Sequence, residues 1–167
     1  IARRQMAAGA IGICCQKTSE ADPFLAGGIT DVLISNEVVG DRKTWQLARL
    51  AASYPDARLG VCVDDPRAVA QLAHACELAH TKLDIYIELD VGHNRAGVAD
   101  ISAVVALGHA IASHASLVLR GLHAYDCHLH QADRAERERF CDAGFEAVDA
   151  MLAVLEKEGL RPEELVC

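Results

Sequence analysis

Short apolar runs alternate with longer stretches in which apolar residues recur every three or four positions. Residues 1–8 read as the tail of a helix. Residues 9–16 (GAIGICCQ) form the first strand-like run, and a helix over about 19–26 ends at Gly27-Gly28. The second strand is 31–36 (DVLISN), with its helix over 41–53 stopped by Pro55. The third is 58–64 (RLGVCVD), and Asp64 can cap a helix starting near Pro66. The fourth is 83–90 (LDIYIELD). Asp100 then caps a helix carrying Val104, Leu107, Ala110 and Ile111 on one stripe. The fifth strand is 117–125, and a long helix over 132–158 follows, with Gly159 placed to end it.

Apolar strands each followed by a helix predict an α/β fold with a parallel sheet covered on both faces. About five consecutive βα units suit either an open doubly wound sheet or a (β/α)8 barrel. No G-x-G-x-x-G follows the first strand, and no G-x-x-x-x-G-K-[ST] occurs. A partial TIM-type (β/α)8 barrel is therefore the expected fold. The chain opens within a helix and stops as a new apolar strand begins at Leu165–Cys167. Since a full barrel needs roughly 250 residues, residues 1–167 are expected to be an internal part of one, lacking its first strand.

Aromatic residues make up only 4% of the 167, so aliphatic side chains must build the core. A formal net charge of −8 argues against nucleic acid as a partner, because there is no basic excess to displace counterions from phosphates. No apolar stretch approaches the ~20 residues of a membrane span. Seven cysteines, with Cys14, Cys15, Cys62 and Cys76 inside apolar runs, point to a reducing cytoplasm rather than a disulfide framework. Cys14 and Cys15 are expected to be small buried residues.

In parallel α/β folds ligands sit beyond the carboxyl ends of the strands. Those ends carry Gln16, Asn36, Asp64-Asp65, the run Asp90 to Arg95, and the run His123 to His130. The opposite ends (Gly9, Asp31, Arg58, Leu83, Leu117) are mixed and undistinguished. Glu88 and Asp90 place two carboxylates late in the fourth strand, before a turn at Gly92 that presents Arg95. That arginine suits an anionic group or a ring nitrogen kept unprotonated, or else it pairs with Glu88 or Asp90 and holds the turn. Tyr125 ends the fifth strand, where it can stack on a planar ligand or pack in the barrel mouth. His123, His128 and His130, with Asp126 and Cys127, are a conceivable metal set, but no closed group of four at recognised spacing emerges. His74, His80, His109 and His114 fall on helices and are expected to face solvent. Lys17, at a strand-to-helix turn, is the one lysine near a strand end and is not chosen for catalysis.

The motifs GAIGICCQKTSEA, DVLISNEVVG, VCVDDP, ELDVGHNRAGV and GLHAYDCHLH, in this order, resemble the D-threonine aldolase and D-serine dehydratase-like family. The resemblance covers essentially the whole chain. It implies an alanine-racemase-type barrel that binds pyridoxal 5′-phosphate, followed by a β-rich C-terminal domain absent from this chain. It also implies a D-amino acid substrate, a homodimer, and a divalent metal (Mn, Mg or Zn) held by residues outside the chain. The cofactor lysine would lie before Ile1 and the phosphate cradle after Cys167. Arg95 matches an arginine near the cofactor ring and Tyr125 an aromatic beside it. Gln16, His123 and His130 complete the expected cofactor-binding set. Family members often carry Tyr-His-Gly where this chain has Tyr125-Asp126-Cys127. The implied activity is retro-aldol cleavage of a D-β-hydroxy amino acid to glycine and an aldehyde. The alternatives are D-serine dehydration and a non-catalytic role in pyridoxal-phosphate homeostasis.

Overall fold

A computed structural model describes all residues, Ile1–Cys167. Its order is α1 (Ala2–Ala7), β1 (Ile13–Cys15), α2 (Thr18–Ala26), β2 (Asp31–Glu37), α3 (Asp41–Ser53), β3 (Arg58–Val63), α4 (Pro66–Ala79), β4 (Leu83–Glu88), α5 (Ile101–Ala112), β5 (Leu117–His123), α6 (Arg134–Lys157) and β6 (Glu164–Val166). The six strands pair in sequence order and all in parallel. This is the partial α/β barrel expected: five βα units, with a sixth strand at Glu164–Val166 where the new apolar strand was expected to begin. β1 is shorter than the apolar run suggested.

Helix starts follow from caps. Asp65 accepts from the Arg67 amide with Pro66 at the first helical position, Asp100 accepts from the Ala103 amide, and Asp133 from the Glu136 amide. Asp65, not Asp64, therefore caps α4. Asp64 instead accepts from the Gly97 amide at 3.1 Å, tying a loop to the strand end. His80 is the left-handed C-cap of α4 rather than a helical residue (φ 52°), and His114 lies after α5, half-buried.

The two faces of the sheet differ. The outward positions Val32, Ile34, Leu59, Val61, Val63, Ile85, Ile87 and Leu122 pack beneath the helices with Leu47, Leu72, Ile111 and Leu155, forming the main core. A second, smaller cluster of Leu33, Cys62 and Tyr86, with Val166 against it, belongs to the concave face. Arg58 on β3 reaches Glu164 on β6 at 2.9 Å, so the sheet curls until strands three apart meet.

The amino ends of the strands are far from undistinguished. Arg58 bonds Asp31 and Glu164, Arg120 bonds Asp84 and Glu163, and the Tyr86 hydroxyl donates to Glu164 at 2.5 Å. This ionic layer floors the barrel. Burial pushes Glu164 up, but the Tyr86 hydroxyl and Arg58 hold its carboxyl below the usual range. Above it the Tyr86 ring lies on two glycines: a Cβ at Gly60 or Gly121 would come within 2.8 Å of it.

Candidate active site

At the opposite, carboxyl end of the strands lies a cavity of about 360 Å³ lined by Cys14, Gln16, Ser35, Arg95, His123, Tyr125, Val166 and Cys167. Its polar walls come from four strands and one loop. Register explains how. Glu88 pairs with His123 across β4 and β5 only because the pairing shifts by one residue, leaving Arg120 out of the ladder. That irregularity turns His123 toward the concave face beside Glu88 and sends Leu122 into the core.

The loop after β4 aims Arg95. The Asp90 carboxylate accepts from the Gly92 amide at 3.0 Å and the Asn94 amide at 2.9 Å, closing a tight turn. Val98 then returns to bond Glu88 and Asp90 through the backbone. Gly97 makes the return possible: at φ 97° its Cβ would stand 2.7 Å from the Asp90 nitrogen. Asp90 is thus the half-buried carboxylate that builds the turn, and only Glu88 is fully buried.

Arg95 places its guanidinium 5.4 Å from the centroid of the Tyr125 ring and its Nη2 3.8 Å from Glu88. Tyr125 lies near-parallel to His123, 6.2 Å between centroids, and His93 meets it edge-on at 6.0 Å. The neighbouring Cys127 thiol raises the Tyr125 hydroxyl above its ordinary range, and Arg95 opposes this. Gln16 donates from Nε2 to the Ser35 hydroxyl at 3.0 Å.

The structure therefore brings together Gln16, Arg95, His123 and Tyr125. It does not bring in His130, which is exposed and absent from the cavity wall. Cys14 is exposed and lines the cavity, against the expectation of burial, because alternate residues of β1 face opposite sides and Cys15 takes the core side. Lys17 is the exposed residue preceding α2 and does not reach the cavity. Sequence reasoning missed Ser35, whose only signal was its place one residue before a strand-end asparagine. It also missed Glu37, whose Oε1 is sealed without a hydrogen-bond partner. Burial raises the Glu37 carboxyl first; Asp64 and Glu88 add to this, while a backbone bond and Arg95 oppose it.

Cys62, Glu88 and His123 converge, their nearest ligand atoms within 4.8 Å of one another. They fit a proton network better than a cation. His123 Nδ1 and Glu88 Oε2 are already in contact at 2.5 Å, and the Cys62 thiol is pushed well above its ordinary range by burial and then by Glu88. For a pyridine-type cofactor the cavity fits: an aromatic wall, a guanidinium, an imidazole and a side-chain amide around a space suited to one planar ring.

Comparison with known proteins places this geometry. The chain is 41% identical over 156 residues to the 3-hydroxy-D-aspartate aldolase of Paracoccus denitrificans (strain Pd 1222), covering 93% of this chain and 40% of that protein. It is 40% identical over 161 residues to the D-threonine aldolase of an Arthrobacter species, covering 96% of this chain and 42% of that protein. The crystal structure of D-threonine aldolase from Filomicrobium marinum superposes with a TM-score of 0.92 at 42% identity, over 98% of this chain and 44% of that one. The chain thus spans less than half the length of these relatives. The family model for the alanine racemase N-terminal domain matches residues 1–167, and the chain belongs to that family.

Proposed function

We propose that the chain is the cofactor-binding part of a pyridoxal-phosphate-dependent lyase that cleaves D-β-hydroxy amino acids by a retro-aldol reaction. The observation that carries this is the Arg95–Tyr125–His123 wall of the strand-end cavity, in a chain 40–42% identical to proteins named as aldolases of D-amino acids. D-threonine and 3-hydroxy-D-aspartate share the Cα–Cβ bond that an aldolase breaks, so the proposal is made at the level of that bond, with D-threonine preferred.

Pyridoxal phosphate, when bound, supplies an electron sink for the bond broken at Cα. The chain's own residues bind and orient. Tyr125 offers a ring face to a planar group, Arg95 a charge beside it, and Gln16 with Ser35 a polar edge. On this reading the cofactor lysine stands on a strand preceding Ile1. On the same reading the phosphate cradle, the divalent metal's ligands and a β-rich domain follow Cys167, and the whole protein is a dimer. No helix is long and apolar enough to cross a membrane. Seven free thiols suit a cytoplasmic enzyme.

The full-length protein, supplied with pyridoxal phosphate and Mn²⁺, should convert D-threonine to glycine and acetaldehyde. Pyruvate and ammonia from D-serine, without aldehyde from D-threonine, would make it a dehydratase. Tight cofactor binding with no turnover of any D-β-hydroxy amino acid would make it a carrier.

A further inference from the structure

The barrel interior holds one fully buried carboxylate residue. Glu88, on the concave face of β4, has a side chain only 3% exposed. A carboxylate taken out of water must be paired and hydrogen-bonded, or give up its charge. Three groups converge on it. His123, directly opposite in register, brings Nδ1 to 2.5 Å of Oε2. Arg95 brings Nη2 to 3.8 Å of Oε1. The Cys62 sulfur, on β3, lies within 4.8 Å of the same carboxylate, and burial first and then the carboxylate itself keep its thiol protonated.

We propose that Glu88 is the positioning residue of this site, fixing the His123 tautomer and holding Arg95 over Tyr125. The inference rests on the pyridoxal-phosphate reading above and deepens it. A neutral imidazole has one N–H, and a carboxylate can only accept. The proton therefore sits on Nδ1, which leaves the Nε2 lone pair to the cavity that His123 lines. Nε2 becomes an acceptor for an O–H or N–H of whatever enters. Arg95 is treated differently. At 3.8 Å it is attracted without being hydrogen-bonded, and it makes no other hydrogen bond in the chain, so its N–H donors remain free for a ligand. One buried charge thus orients an acceptor and a donor on the same wall, with Tyr125 between them.

A divalent cation on Cys62, Glu88 and His123 is the competing occupant. It would have to displace the Nδ1 proton and the thiol proton next to a guanidinium, and the 2.5 Å contact leaves it no room.

The test uses the full-length enzyme with pyridoxal phosphate. Glu88→Gln keeps the shape and an acceptor oxygen but removes the charge. It should lower kcat roughly ten- to a hundred-fold, the scale of a misplaced active-site group. KM should stay within about three-fold, since substrate contacts persist. The absorbance maximum of the bound cofactor should move, and Glu88→Asp should recover part of kcat. In the cofactor-free protein, ¹⁵N-histidine spectra should show His123 protonated at Nδ1 and bare at Nε2, a pattern lost in Glu88→Leu. Unchanged kinetics and spectrum in Glu88→Gln, or a wild-type Nε2–H tautomer, overturns the proposal. So does stoichiometric Zn²⁺ binding that Cys62→Ser abolishes. If the wild-type full-length protein binds no pyridoxal phosphate, the pyridoxal-phosphate reading itself fails. If it binds the cofactor while Glu88→Gln behaves as wild type, only the positioning role fails.

Discussion

Arg95 and Tyr125 stand as a pair, with the guanidinium 5.4 Å from the ring centroid and both lining one cavity. On the proposed reading, Arg95→Ala in the full-length protein should cost on the order of 2–4 kcal/mol of transition-state stabilisation, by analogy with other charged active-site donors. Tyr125→Ala should weaken cofactor retention as well as turnover, whereas Tyr125→Phe should keep the stacking and isolate any role of the hydroxyl. Were both residues only structural, the melting temperature would fall while kcat/KM of the folded fraction held, so the two are measured side by side. Glu37 allows a separate check by pH. Burial raises its carboxyl in the folded state above the unfolded value of about 4.3. The ionised form therefore costs stability above the folded pKa, and the cost disappears as pH falls through it. Glu37→Gln should raise Tm at pH 7, with the gain shrinking on acidification and gone below about pH 4. A gain that persists in acid would point to packing instead.

The elements were legible because capping and periodicity are local. Asp100 and the α3 bounds 41–53 emerge as predicted, and β2, β3 and β4 start at the predicted residues. Within the site, Arg95 and Tyr125 could be found because position at a strand end is also a local property. What was hidden depends on pairing. The one-residue slip that faces His123 to Glu88 involves both β4 and β5, and no pattern within 117–125 announces it. The ionic floor likewise joins Arg58 to Glu164, 106 residues apart. Asp64 and Asp65 are adjacent, so sequence alone could not say which one caps α4 and which one ties down Gly97. The close packing of β5 and β6 is open to test. A Cβ on Gly121 would meet the Glu164 carbonyl at 2.4 Å and the Tyr86 ring at 2.8 Å. Backbone cannot give way as a flexible side chain does, so Gly121→Ala should destabilise by about 1–3 kcal/mol, read from chemical denaturation. Gly159→Ala, where the added carbon meets nothing within 4 Å, carries only its positive-φ strain and should cost less.

For residues 1–167 taken alone, sheet edges set the behaviour. Six parallel strands in sequence order leave β1 and β6 each with one unpaired side. Such edges present rows of free N–H and C=O groups that another strand can complete. Apolar side chains cluster near them: Ile11, before β1, is 81% exposed, and Leu165, in β6, is 41% exposed. The helices on the convex side bury the main core, so secondary structure should form even while the edges seek partners. Residues 1–167 expressed alone should accordingly show helical circular dichroism but elute as a concentration-dependent mixture of oligomers, and should have no aldolase activity, since no lysine reaches the cavity. A polar substitution at Ile11 or Leu165 should shift that mixture toward smaller species, whereas one at the distant Leu78, 58% exposed on α4, should not. Light scattering across a dilution series decides the matter. A monodisperse monomer with a sharp melt would mean that the edges are shielded in solution, and that association owes nothing to the open sheet.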